Sequence, residues 1–170
     1  MIQPPVVSRR AVLAAVLASC LPAAFALEPP AGPPVLSLTG NIGQRNTADA
    51  ADFDLAMLEK LPQHSITTTV PWYPTARTFT GVLLRDLLAA VGAQGSTLRA
   101  IALNDYRVDI PVKDAHDHDV IVAYRLDGQP MSVREKGPLV IMYPFDGVRE
   151  LRNAVYFGRA AWQLRRIEVR

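Results

Sequence analysis

Cys20 is the only cysteine in 170 residues, and it lies inside a segment patterned like an export signal. The part of the chain that folds therefore has neither a disulfide nor a thiolate to use. Exported domains often rely on disulfides in their oxidising compartment. This one is expected to be held by packing alone.

The opening MIQPPVVSRRAVLAAVLASCLPAAFA sets Arg9 and Arg10 before an apolar run, with Ala24-Phe25-Ala26 as a small-x-small cleavage site. Pro22 inside the run makes it a poor transmembrane helix. Cleavage after Ala26 leaves 144 residues beginning at Leu27 and places the protein in the periplasm. Ser8-Arg9-Arg10-Ala11-Val12-Leu13 has the twin-arginine pattern, which exports folded proteins, with Val12 where that pattern usually has Phe. An ordinary secretory signal is the alternative. A third reading takes Leu17-Ala18-Ser19-Cys20 as a lipoprotein box, anchoring the domain to a membrane through Cys20.

Setting aside Arg9 and Arg10 leaves 16 basic against 16 acidic residues. A near-neutral domain has no basic field to recruit nucleic acid. Its length is that of one ordinary domain with one core.

Residues 27–34 are Pro-rich and are expected to form an extended tether before a domain spanning 35–170. Val35 to Gly40 reads as a first strand ending in a turn. Asp54 is placed to cap a helix from Leu55 to Leu61, stopped by Pro62. Ser65 to Val70 is β-branched and predicts a strand, broken by Pro71-Trp72-Tyr73-Pro74. Thr80 is expected to cap a helix from Gly81 to Val91, with Gly92 as its stop. Strands are expected at 98–103, 106–110, 120–124, 139–143 and 162–169, with a hairpin turn at Asp127-Gly128 and a helix over 150–157. The segment from Asp114 to Asp119, which carries His116 and His118, reads as a polar loop. Short strands with a few short helices predict a single β-rich α+β domain.

Several pieces, in this order, resemble the molybdopterin-binding domain of the sulfite oxidase family. They are 79–88 (FTGVLLRDLL), 104–111 (NDYRVDIP), 126–131 (LDGQPM), Gly137-Pro138-Leu139-Val140 and 164–169 (LRRIEV). The resemblance implies the sulfite-oxidase-like fold. In that family the molybdenum-holding cysteine falls at the strand end around Thr67 to Trp72, where this chain has Thr-Thr-Thr-Val-Pro-Trp. Threonine and proline do not replace a soft thiolate. The arginine that often follows the family's Gly-Pro pair is replaced by Val140. The likeness is greatest to small exported members without the cysteine, which include pterin-binding proteins that signal to an inner-membrane enzyme. It implies a non-covalently held pterin without molybdenum, and a membrane signalling protein as partner. A molybdopterin-dependent periplasmic oxidoreductase and a degenerate domain serving protein contacts only are the alternatives.

A pterin needs a stacking surface and acceptors for its amino and ring N–H groups. Trp72 and Tyr73 are the stacking candidates, against the alternative that they plug the end of the core. Asp105 and Tyr106 match the family's turn near the cofactor; Asp105 is the candidate acceptor, the alternative being an ordinary turn residue. Arg77 is the candidate for a polar tail. No metal site is expected, because His116 and His118 lack a third well-spaced ligand. No hydrolase arrangement stands out, so no catalytic residue is assigned.

Overall fold

The computed structural model describes residues 27–170. The export signal, its twin-arginine and lipoprotein readings and Cys20 all lie outside the described residues.

The elements run β1 (Leu36–Gly40), β2 (Ala51–Phe53), α1 (Leu55–Lys60), β3 (Gln63–Thr68), β4 (Arg77–Leu83), α2 (Leu84–Ala90), β5 (Thr97–Ala102), β6 (Arg107–Pro111), α3 (Val112–Asp117), β7 (Ile121–Leu126), β8 (Gln129–Pro130), β9 (Val140–Met142), α4 (Ala154–Arg159) and β10 (Leu164–Val169). This is the mixed α+β domain the strand pattern predicts. The first sheet has the order β2-β1-β10-β5-β6, antiparallel except for the parallel pair β1 and β10. The second has the order β3-β4-β7-β8, with β9 also paired to β7. One apolar cluster is shared by both sheets, including Leu38, Leu98 and Ile167 from the first and Phe79, Val122 and Ile141 from the second.

The sheets are joined where β9 approaches the entry to β10. Val140 bridges to Trp162, Ile141 N–H donates to Ala161 at 3.0 Å, and Leu164 N–H donates to Leu139 at 2.9 Å. This junction carries the chemistry described below.

Asp54 caps α1 as its sequence position predicts. Its carboxylate accepts Met57 N–H at 2.8 Å and Gly32 N–H at 2.7 Å. The second bond fastens segment 27–34 to the domain, and Leu27 packs against the core. The Asp127-Gly128 turn is also as expected, with both residues at positive φ.

Three expectations are corrected. Residues 81–83 complete strand β4 (Arg77–Leu83) and are not the first turn of a helix, so α2 starts only at Leu84 and Thr80 caps nothing. The reason is tertiary. A Cβ on Gly81 would lie 2.0 Å from the Val122 carbonyl oxygen, so this glycine lets β4 close onto β7 at a bulge. Residues 112–117 form α3 and not a loop, because Asp114 and Ala115 are buried on one side of it. The helix expected over 150–157 is two pieces. A 3-10 turn at Arg149–Leu151 ends before Asn153, whose side chain caps a fresh start at α4.

Two predictions follow from this packing. Gly81→Ala forces backbone to shift in two central strands and lowers unfolding free energy by about 3 kcal/mol or more, measured by chemical denaturation. Its two backbone N–H bonds hold the Asp54 carboxyl below its ordinary value. A group depressed in the folded state contributes stability above its unfolded pKa and loses it as pH falls through the folded one. Acid titration of Asp54→Asn therefore shows a shallower loss of stability than the parent below about pH 4.

Candidate functional site

A slot of about 260 Å³ opens at the sheet junction. Four segments wall it. The β3–β4 loop supplies Trp72, and the β5–β6 turn supplies Asn104 and Tyr106. Helix α4 and its end supply Phe157, Gly158 and Ala160, and the entry to β10 supplies Trp162 and Gln163. Both tryptophans of the chain are therefore on one slot.

The aromatic rings meet edge to face. Trp72 and Trp162 have centroids 5.0 Å apart at 76°, and Trp72 and Phe157 6.2 Å apart at 87°. Trp162 is backed by Tyr73 and Phe79, each at 6.1 Å. Phe157 is backed by Phe145 at 4.7 Å. Trp72 is 37% exposed and Tyr106 46% exposed, so neither is a plug in the core. Exposed aromatic faces on a rigid frame are surfaces a flat molecule can cover.

Of the residues singled out from sequence, Trp72 and Tyr106 come together here. Tyr106 hydroxyl donates to the Gly158 carbonyl at 3.0 Å and closes one end of the slot. Tyr73 supports Trp162 from behind and does not line the slot. Burial raises its phenol pKa. Arg77 lies 4.8 Å over the Tyr73 ring and pairs with Asp127, away from the slot. Asp105 sits at φ 63 with its carboxylate 2.7 Å from Arg165, exposed and outside the slot lining. The polar side chains in the lining are those of Asn104, Gln163 and Tyr106 and the indoles, and the Trp162 Nε1–H is buried without a hydrogen-bond partner among the described residues.

Sequence reasoning missed Phe157, Trp162 and Gln163. Trp162 read as the start of a strand, and Phe157 as part of one longer helix. Only the pairing of β9 with the β10 entry brings them to Trp72. The rarity of tryptophan was the one signal that pointed to Trp162.

Thr68, the last residue of β3, lies in the stretch Thr67 to Trp72 where the family resemblance places a metal-holding cysteine. Its side chain is fully buried, and its hydroxyl accepts Asp146 N–H at 3.1 Å. Thr69 donates to Asp146 from N–H at 2.7 Å and from its hydroxyl at 2.6 Å. Arg152 donates to the same carboxylate at 2.9 Å. Burial opposes ionisation of Asp146, but the Thr69 bonds and Arg152 outweigh it and hold its carboxyl below the ordinary value. These hard oxygens are committed to one another. They do not fit molybdenum held through a protein thiolate. A second cavity of about 400 Å³, lined by Thr69, Val70, Pro71, Arg152 and Phe157, adjoins the slot across Phe157. Among the described residues no three His, Cys, Asp or Glu side chains gather as a metal site.

Helix α4 is only six residues long and is pinned from below. Asp114 on α3 is 7% exposed. It accepts from Tyr143 hydroxyl at 2.9 Å and from Arg159 at 2.8 Å. Burial and the neighbouring carboxylate push the Tyr143 phenol pKa upward, so it remains a donor. Arg159 also lies 4.9 Å over the Tyr156 ring. Arg159→Met leaves the Asp114 charge buried with only Tyr143, and costs about 3 kcal/mol of stability. Tyr143→Phe, which keeps the ion pair, costs about 1 kcal/mol. Urea denaturation of the two variants side by side checks the ranking.

Comparison with known proteins is consistent with this geometry. The family described as "Oxidoreductase molybdopterin binding domain" matches residues 41–169. No curated protein matches the sequence. Among solved structures, the sulfane dehydrogenase SoxCD from Paracoccus pantotrophus superposes with a TM-score of 0.59 at 17% identity. The match covers 79% of this chain and 37% of that one, so the chain spans well under half of the structure it resembles. That likeness concerns the fold. On the family match, the chain belongs to the oxidoreductase molybdopterin-binding domain family.

Proposed function

We propose that this protein binds a pterin in the Trp72–Trp162 slot, as a flat heterocycle and without a molybdenum centre ligated by the protein. Its task on this reading is to present the pterin to an inner-membrane signalling partner from the periplasm. The observation that carries the proposal is the pairing of two features in one place. An aromatic slot of about 260 Å³ lies beside a strand end whose oxygens are engaged in hydrogen bonds within the protein. The slot size suits a bicyclic ring, being near the lower limit of small-molecule sites.

The ring stacks on Trp72 or Trp162, and Phe157 bounds its far edge. Stacking a planar heterocycle on one aromatic side chain contributes about 1–3 kcal/mol. The rigid frame matters as much as the area, because rings already braced by Tyr73, Phe79 and Phe145 lose little freedom on binding.

Family membership favours a second reading, an oxidoreductase that carries the pyranopterin itself. One experiment separates the two. The full precursor is expressed in a Gram-negative host, the mature protein is purified from the periplasm and denatured, and released molecules and metal are identified by mass spectrometry. A pterin in near-stoichiometric amount without molybdenum is the expected result. A pyranopterin dithiolene with stoichiometric molybdenum overturns the proposal in favour of the enzyme. Trp72→Ala lowers pterin affinity by about 10-fold or more, read by fluorescence titration; an unchanged affinity removes the stacking role.

A further inference from the structure

The slot's two amides are each held in one orientation. Asn104 Oδ1 accepts Tyr106 N–H at 3.1 Å, which turns its Nδ2 away from that bond. Gln163 Nε2 donates to the Val133 carbonyl at 2.9 Å, which commits its donor and leaves Oε1 as the spare atom. Neither Asn104 Nδ2 nor Gln163 Oε1 has a hydrogen-bond partner among the described residues. The two residues are neighbours, because Leu103 N–H donates to the Gln163 carbonyl at 2.8 Å. Gln163 is further fixed by its own N–H, which donates to Lys136 at 2.9 Å, and it sits at φ 52, a conformation a non-glycine residue keeps only when its surroundings impose it.

Among the described residues the lining thus carries a free amide donor, Asn104 Nδ2, a free amide acceptor, Gln163 Oε1, and the buried, unpartnered indole N–H of Trp162. From this we infer that Asn104 and Gln163 select the ligand by its lactam edge: a ring carbonyl accepting from Asn104, next to an N–H donating to Gln163. The inference rests on the slot being the pterin site. It assigns edge recognition to this amide pair in place of Asp105, whose carboxylate is occupied by Arg165. A 2-amino-4-oxopteridine presents carbonyl and N–H in adjacent positions and matches. A 2,4-diaminopteridine at neutral pH presents an amino donor to Asn104 Nδ2 and a ring-nitrogen acceptor to Gln163 Oε1, so both bonds are lost and like groups face each other.

The test is a titration of the purified, ligand-stripped protein with both pteridines, followed by fluorescence. The oxo compound binds about 10- to 100-fold tighter than the diamino compound. Asn104→Asp keeps the oxygen that holds Tyr106 N–H but replaces the free donor by an acceptor, so each compound then makes one of the two bonds and the preference collapses to within about 3-fold. A purely structural role for Asn104 weakens both compounds alike and keeps the preference. Gln163→Leu weakens the oxo compound by about 10-fold and leaves the diamino compound unchanged. If wild type binds both pteridines equally and Asn104→Asp shifts both alike, the edge-reading inference falls while the slot remains. If neither pteridine binds at all, the slot reading and this inference fall together.

Discussion

The contact on which the rest of this molecule depends is the backbone pairing of residues 139–141 with residues 161–164. It is the seam between two sheets that otherwise share only side chains. Without a covalent cross-link in the folded region, this seam and the apolar cluster around it do the work that disulfides do in many exported domains. The seam also fixes the site. Trp162 is both the residue bridged to Val140 and the ring against which Trp72 packs. A change that opens the seam removes the slot's floor, so stability and binding are not separable at Trp162 as they are at Trp72.

The other wall has a different origin. Six residues of α4 are too few to hold a helix by propensity. Asn153 caps its start, and Arg159 anchors its end to the buried Asp114. A buried ion pair is a poor source of net stability compared with apolar packing, yet it specifies one arrangement because its alternatives leave a charge unpaired. In this protein that arrangement is the placement of Phe157 and Gly158 opposite the tryptophans.

The strand pattern, the Asp54 cap, the Asp127-Gly128 turn and the family resemblance could be read from the sequence because each is local or repeats at short spacing. The start of α2 could not. The run from Thr80 to Val91 has helical spacing throughout, and only the close approach of Val122 to Gly81 turns its first residues into strand. The site was half legible. Trp72 stood in a proline-broken segment, and Tyr106 at the junction of a turn with an expected strand, both of which show in local sequence. Phe157, Trp162 and Gln163 lie 51 or more residues further along the chain from Tyr106 and look like ordinary helix and strand. Asp105 was legible only as a turn carboxylate, which signals both a ligand and an ion pair, and its partner Arg165 is 60 residues away.

The strand end at Thr68 shows how a buried polar segment can be satisfied entirely within the protein. Small apolar side chains at Thr68 and Thr69 would leave the β3–β4 loop without these tethers. Here Thr69 donates twice to the Asp146 carboxylate, the Thr68 hydroxyl accepts the Asp146 backbone N–H, and Arg152 balances the carboxylate's charge. The network is satisfied within the protein, so it neither demands a cation nor offers one soft donors. It also keeps the loop that follows in place, and that loop carries Trp72. The satisfied network at the strand end and the presentation of an aromatic face four residues later are, in physical terms, one local arrangement.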